Sequence, residues 1–376
     1  MPGSDTHLKS PLRYPGGKCR VAKLLGKFAP AHGEYREIFA GGAAFFFWKP
    51  LAQQSWINDL HPGLYAFYRA LRDHFEPFAE QCREQKGDLR KLFDRWARRR
   101  DLMESRDDRD IVERAVQYYF INRTVWSGRV VFDPRRRSRL YFSNPGGWQY
   151  LDKKLAHLQQ LSLKLQGVKI TCLDFAECVR DAAEDTFIYA DPPYIRESGC
   201  SLSDKLYDKA FTTECHKRLA DALSATKAKV MISYDDCEDV YALYRDAKWR
   251  PVPLEWKYCG RHAMTNEAKA AGEKEKKVAG KELVLLNYDP PADAMAMLER
   301  LGERPMSRIY SKDLKQRVQD AYRMLSEQYP EAGRGDTWVA DPKLRSELIR
   351  AVNQSPWSES EILDCFLSLR KGSKLE

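Results

Sequence analysis

The chain has 376 residues, enough to bury a sizeable core in one large domain with additions or in more than one unit. Its 63 Lys and Arg against 54 Asp and Glu give a net charge of +9, which favours a polyanionic partner without requiring one. The nine cysteines contain no C-x-x-C pair, the seven histidines show no metal-ligand spacing, and no apolar run is long enough for a bilayer; these exclude a zinc or disulfide framework and a membrane span, and predict a cytoplasmic protein that needs no metal.

In chain order, the first feature is the glycine turn "RYPGGK" at residues 13–18. It is not a Walker A loop, which would need Gly where Leu12 stands and Ser or Thr where Cys19 stands. "VAKLLGKF" then has a short helical pattern, and "GEYREIFAGGAAFFF" reads as strand, glycine turn and helix start. "QSWINDLHPGLYAFYRAL" repeats the scheme, with a strand through Trp56 and Ile57, a turn at Asn58 and Asp59, and a helix carrying Leu64, Phe67, Tyr68 and Leu71. From Arg72 the pattern changes to charge-rich helices, then the aromatic helix "VERAVQYYFINRTVW" and a hairpin with a basic tip, "SGRVVFDPRRRSRLYFSNPGGW". The alternation returns with strands in "VKITCLDF", "TFIYADPPY", "KVMISYDD" and "ELVLLNY" and a helix in "TECHKRLADALSAT". "MTNEAKAAGEKEKKVAGK", before the last strand, is small and charged and predicts a mobile, solvated loop.

Beyond Tyr288 the pattern is helical. "SKDLKQRVQDAYRMLSEQY" sets Leu314, Val318, Ala321, Tyr322 and Leu325 on one face, Asp341 and Pro342 open the next helix, and Ser358 with Glu361 forms a capping box before "ILDCFLSL". Strands alternating with helices predict an α/β domain with a parallel sheet covered on both faces, built from residues 1–71 and 166–291. Residues 72–165 form an insertion within it, and 292–376 a helical extension.

The basic excess is localised. Between Arg83 and Arg139, 17 basic residues face 10 acidic ones, whereas 292–376 hold 14 of each. Any nucleic-acid footprint is therefore expected in the insertion, with Arg95, Arg98, Arg99 and Arg100, then Arg135, Arg136, Arg137 and Arg139, neutralising phosphates and Trp96, Trp126 and Phe132 available to wedge or stack. The charge-balanced extension is the part available to a protein partner.

"EIFAGGAAF" puts Phe39, Gly41, Gly42 and Ala43 at the carboxyl end of the first strand, where small residues let a ligand approach the backbone at a helix amino terminus. Asp59, ending the second strand, is placed to accept from ribose hydroxyls, which suits an adenosine-containing cofactor. The G-x-G-x-x-G of dinucleotide dehydrogenases is absent. In "CLDF", Asp174 reads either as an acceptor for the cofactor's adenine amine, with the main chain at Phe175 meeting the ring edge, or as the cap of the following helix.

The strand "TFIYA" ends on "DPPY". Asp191 supplies a carboxylate and Pro192 a main-chain carbonyl, and Pro192 with Pro193 restricts the backbone so that two acceptors are held without reorganisation. An exocyclic adenine amine, whose lone pair is delocalised into its ring, needs two such acceptors before it becomes a nucleophile. Tyr194 offers a flat face for an everted base and a π surface for a sulfonium methyl donor.

With "RYPGGK", "EIFAGGAAFFF", "IND", "DF" and "ADPPY" in this order, the chain resembles the Dam-type (D12 class) DNA adenine-N6 methyltransferases over residues 9–290. The resemblance implies a methyltransferase variant of the doubly wound, Rossmann-like sheet, S-adenosylmethionine as donor, double-stranded DNA as substrate and an inserted domain that reads the target. Carried over by position, Tyr14, Gly17 and Lys18 of "RYPGGK", Asp59 and Asp191 contact the cofactor, and Asp191 to Tyr194 hold the adenine. "FINRTVWSG" and the hairpin at 128–142 form the recognition element, with Asn122, Arg123 and Arg129 as contacts. Asp rather than Ser at position 191 favours adenine over cytosine N4. Ala43 stands where many relatives have a third glycine, and the hairpin matches no relative that would assign a target sequence.

Overall fold

A computed structural model describes residues 7–14, 16–19, 21–99, 101–102, 105–125, 128, 130, 142, 146, 148–195, 211–257, 279–292, 294, 312–330, 341–352, 362–363 and 365–366. The chain divides into two compact units, Met1–Met295 and Ala296–Glu376.

In the first unit, α1 (Ala22–Leu25) follows the RYPGGK turn, β1 (Glu34–Glu37) and α2 (Ala44–Trp48) form one strand-helix step, and β2 (Gln54–Asn58) and α3 (Pro62–Asp73) form the next. Then come α4 (Phe75–Glu84), α5 (Leu89–Arg98), α6 (Ile111–Thr124) and α7 (Leu151–Leu165). The alternation resumes with β3 (Lys169–Thr171), α8 (Phe175–Val179), β4 (Thr186–Ala190), α9 (Thr213–Ala225), β5 (Lys229–Asp235), α10 (Glu238–Leu243), β6 (Arg250–Lys257) and β7 (Ala279–Leu286). The seven strands form one sheet in the order β3-β2-β1-β4-β5-β7-β6. Pairing is parallel from β3 to β5, and β7 runs antiparallel between β5 and β6. The architecture is the mixed α/β, Rossmann-like sheet expected.

All five residues of β4 are buried, as a central strand covered on both faces requires. Side-chain alternation sorts the two layers. On one face Tyr35 of β1 and Phe187 and Tyr189 of β4 meet Phe45 of α2, with the Phe45 and Tyr189 ring centroids 4.8 Å apart. On the other, Ile38, Ile188 and Ala190 join Leu219 and Leu223 of α9 and Val240 of α10 in a second buried cluster.

β6 carries no strand signal in the sequence because Pro251 and Pro253 interrupt it. It is an edge strand, paired only with β7, and prolines two apart put both missing N–H groups on its outer side. Part of the expected loop, Ala279 to Lys281, is the start of β7, and residues 264–278 lie outside the described residues.

Residues 72–165 pack within the first unit. α6 is buried almost all round: Phe67 of α3 stacks on Tyr119 at 5.4 Å, Phe120 meets Trp148 at 4.7 Å, and the buried Arg114 donates to Asp107 O and Pro62 O. The expected hairpin at 128–142 lies almost wholly outside the described residues; its last residue, Phe142, pairs with Val125 in an isolated bridge.

The second unit contains α11 (Lys312–Gln328) and α12 (Pro342–Val352). Leu314, Val318, Ala321 and Leu325 pack with Leu344, Leu348 and Val352 and with Ile362, Cys365 and Phe366. Asp341 caps α12 by accepting from Lys343 N and Leu344 N at 2.8 and 3.1 Å. The expected Ser358–Glu361 box lies outside the described residues.

Candidate active site

β1 and β4 lie side by side in parallel, with Glu37 opposite Tyr189, but their chains leave in opposite directions, β1 toward β2 and β4 toward β5. The loops beyond their carboxyl ends therefore part and open a crevice. "FAGGA" and "DPPY", some 150 residues apart in sequence, line it from two sides, with Asp59 after β2 and Asp174 after β3.

The glycine loop is tied down at almost every peptide. Asp59 accepts from Gly41 N at 2.8 Å and from His61 N at 2.9 Å, Tyr68 donates its hydroxyl to Gly41 O at 2.7 Å, and Ala40 N donates to Asn58 O at 2.8 Å. Gly41 has φ of +45°, and a Cβ there would lie 2.7 Å from the Tyr14 ring, so RYPGGK and the glycine loop pack directly on each other. Ala43 also adopts left-handed φ and ψ of 47° and 38°, which explains why a glycine suits this position; here the turn is closed by Ala43 N donating to Ala40 O at 2.5 Å. Burial pushes the Asp59 carboxyl above the usual aspartate range, and the His61 and Gly41 N–H bonds pull it partly back.

Glu37, a residue the sequence reading passed over, supports the same loop from below. Its Oε2 accepts from the Tyr35 hydroxyl at 2.6 Å and from Phe46 N, in the first turn of α2, at 2.9 Å. Burial raises this carboxyl to about 8, against the pull of the Tyr35 and Phe46 bonds. A carboxyl raised in the folded state contributes stability that is present below its unfolded pKa and is lost as pH rises through the folded one. Stability should thus decline between about pH 4.5 and pH 8, by a few kcal/mol at about 1.4 kcal/mol per unit. Glu37→Gln, which keeps the shape of the neutral acid, should flatten the decline in denaturant titrations across that range; an equally steep decline in the variant refutes the assignment.

At the opposite wall, Lys18 Nζ donates to both Asp191 oxygens, at 2.7 and 2.9 Å, to the Tyr194 hydroxyl at 2.6 Å and to Gly16 O at 3.2 Å. Lys18 is 4% exposed, whereas the Asp191 side chain keeps 21% of its surface open. Pro192 is buried and Pro193 and Tyr194 are half-buried. Lys18 thus grips Asp191, and Glu282 of β7, which nothing local in the sequence marks as a site residue, pairs with Lys18 at 3.1 Å. The third wall is aromatic: Phe39, Phe175 and Phe211 meet with centroids 5.7 to 5.9 Å apart. Asp174 beside them caps α8 by accepting from Ala176 N at 3.0 Å and pairs with Arg218 at 3.0 Å, the second of its two readings.

The sequence profile of the D12 class N6 adenine-specific DNA methyltransferases matches residues 14–256, a span that includes every one of these walls except β7. The chain belongs to the D12 class of N6 adenine-specific DNA methyltransferases. It transfers a methyl group from a donor to adenine in DNA. The type II methyltransferase M1.LlaDCHI of Lactococcus lactis subsp. cremoris is 26% identical over 282 residues, covering 73% of this chain and 94% of its own length. A type II methyltransferase of Methanocaldococcus jannaschii, M.MjaIII, is 26% identical over 245 residues (59% and 82%), and the DNA adenine methylase of Vibrio cholerae 22% over 255 (64% and 86%).

The DNA side of this D12 methyltransferase departs from the sequence reading in two places. Asn122, expected to read the target, is fully buried; its Oδ1 accepts from Arg13 N at 3.1 Å and its Nδ2 donates to Arg13 O and Gly128 O, both at 2.8 Å. In this arrangement it braces the RYPGGK turn against α6. Trp96, expected to wedge or stack, is also buried, with its indole N–H on Gln85 Oε1 at 3.1 Å. Arg95, Arg98 and Arg99 line an open cavity of about 830 Å³ with Lys91, Asp94 and Glu113, where Arg99 meets Glu113 at 3.4 Å. Arg100, Trp126, Arg129, Phe132, Arg135, Arg136, Arg137 and Arg139 lie outside the described residues.

A second cleft, of about 550 Å³, escaped the sequence reading. Lys9, Arg123, Lys153, Lys154 and His157 line it with no acidic residue, and Tyr150, 74% exposed with φ of 59°, stands at its rim. The available signal was the spacing of Lys153 and Lys154 to His157, which puts all three on one side of α7. Lys9 and Arg123 come from distant segments, so only folding assembles the set. Among the described residues no cluster has the composition of a metal site, and no helix is long and apolar enough to cross a membrane.

Proposed function

We propose that the donor is S-adenosylmethionine and that the methyl is placed on N6 of an adenine rotated out of the duplex into the crevice between the glycine loop and DPPY. The observation that carries this reading is the Lys18, Asp191 and Tyr194 cluster, held at the crevice wall facing a loop whose glycines have no room for a Cβ. The residues present fit the donor. Asp59 accepts two backbone N–H groups and, with about four lone-pair positions on a carboxylate, keeps acceptors for ribose hydroxyls. Phe39 and Phe175, with ring centroids 5.7 Å apart, offer an apolar wall for a purine, and Tyr14, Gly17 and Lys18 form the RYPGGK turn on the opposite side.

Bound there, the donor supplies a methyl on positively charged sulfur, already reactive, so that alignment carries much of the rate. The Asp191 carboxylate and the Pro192 carbonyl would accept the two N6 hydrogens and direct the lone pair toward the methyl; as the C–N bond forms the methyl–sulfur bond breaks, the sulfur leaves as a neutral thioether, and the Asp191 carboxylate takes the proton that N6 loses. Tyr194 stacks on the everted base. Duplex DNA incubated with S-adenosylmethionine labelled in the methyl group should yield labelled N6-methyladenine on nucleoside mass analysis. Label in N4-methylcytosine, or none, would overturn the reading.

Target recognition is assigned to the insertion at 72–165, and the charge-balanced residues 292–376 to a role other than DNA affinity. The basic cleft holds the duplex backbone by its phosphates, with Arg123 and the α7 lysines as contacts. Replacing Lys153 and Lys154 together by alanine should weaken DNA binding and lower the slope of log affinity against log salt by about 2, one unit per lost phosphate contact. An unchanged slope in fluorescence-anisotropy titrations would remove the cleft from the interface.

A further inference from the structure

Glu282 lies in β7, paired across the ladder with Asp235 of β5, and is 0% exposed. A carboxylate so buried is stable only when charge and hydrogen bonds compensate it. Two of its partners belong to the DPPY cluster: Lys18 Nζ at 3.1 Å, and the Tyr194 hydroxyl, which donates to Glu282 Oε1.

The arrangement matters because the same two groups also reach Asp191. The Tyr194 hydroxyl has one proton and two carboxylates in range, Glu282 Oε1 and, at 3.2 Å, Asp191 Oδ1. The contact to Glu282 is the closer, so the proton goes there, and the same oxygen accepts from Lys18. Lys18 likewise divides its charge between two carboxylates. Without Glu282, the tyrosine proton and a larger share of the ammonium charge would turn onto Asp191, filling positions an incoming amine needs.

We propose that Glu282 is a positioning residue that keeps Asp191 open to the adenine amine by drawing off the Tyr194 proton and part of the Lys18 charge. This rests on the reading of Asp191 as the acceptor for N6, and predicts an effect on turnover rather than on binding.

The test compares wild type, Glu282→Ala, Glu282→Gln, Tyr194→Phe and the Glu282→Ala/Tyr194→Phe double variant. Glu282→Ala should lower kcat by about 50-fold with KM for DNA and donor within about threefold, and Glu282→Gln, which still accepts from the tyrosine, should recover a large part of the loss. In the Tyr194→Phe background the Glu282→Ala loss should shrink to about fivefold, because no hydroxyl proton remains to fall on Asp191. In protein free of donor and DNA, the Lys18 15Nζ resonance, assigned with Lys18→Gln, should shift in Glu282→Ala. Wild-type turnover in Glu282→Ala, a loss confined to KM, or an equal loss in both tyrosine backgrounds overturns the proposal; if the alanine variant does not fold, Glu282→Leu, which neither accepts nor carries charge, and its Tyr194→Phe counterpart decide by the same criteria. Wild-type protein that makes no N6-methyladenine would instead sink the functional reading, and this inference with it.

Discussion

Asp191→Ala should reduce methyl transfer by a factor of about 100 to 1,000 while DNA affinity stays within about threefold of wild type. The size follows from what the side chain does: a fixed acceptor aimed at an amine whose lone pair must leave the ring acts at the transition state, where one preorganised electrostatic contact contributes about 3 to 4 kcal/mol. Folding should survive, because Lys18 keeps Glu282 and the Tyr194 hydroxyl when Asp191 is removed and is not left as an uncompensated buried cation. DNA affinity should survive because phosphate contacts, which dominate it, lie elsewhere. Single-turnover assays with saturating donor and anisotropy titrations of the same duplex measure the two quantities. Turnover within tenfold of wild type would refute the role given to Asp191.

Asp59→Ala should weaken donor binding about 100-fold or more, read by calorimetry without DNA. Two effects add. The acceptors offered to ribose hydroxyls disappear, at about 1.5 to 3 kcal/mol for each hydrogen bond to a charged group. Gly41 N and His61 N lose their partner, so the loop that must approach the donor is no longer held. Asp59→Asn should recover little, since its NH2 group would face one of two backbone donors. The raised Asp59 pKa adds a pH signature: as pH falls, the carboxyl gains a proton sooner than an ordinary aspartate, so donor affinity should weaken at a correspondingly higher pH. Unchanged affinity in the alanine variant would reduce Asp59 to a brace for the turn.

Much of the catalytic wall was legible residue by residue. "EIFAGG", "IND" and "ADPPY" each combine a buried strand with a turn whose residues have few other uses, and their order in the chain carried the family. The DNA side was far less legible. The resemblance of "FINRTVWSG" to a recognition element made Asn122 a reader, yet α6 is buried nearly all round and turns that amide onto the backbone of Arg13, 109 residues away. Trp96 sits among arginines and still points into the core. Asp174 offered two readings; the structure shows its cap and its pairing with Arg218, both on Oδ1, and the other oxygen remains an acceptor.

By itself the sequence determined the class of fold, the family and the turns that line the crevice, because apolar periodicity, prolines and glycines act within a few residues of where they stand. Only the tertiary structure decided which charges share a site. Lys18, Asp191 and Glu282 meet because β4 neighbours β1 and β7 returns antiparallel beside β5, and strand order is set by how whole faces are buried, not by any local pattern. The same holds for β6, whose prolines argue against a strand until its place at the edge removes the need for their N–H groups.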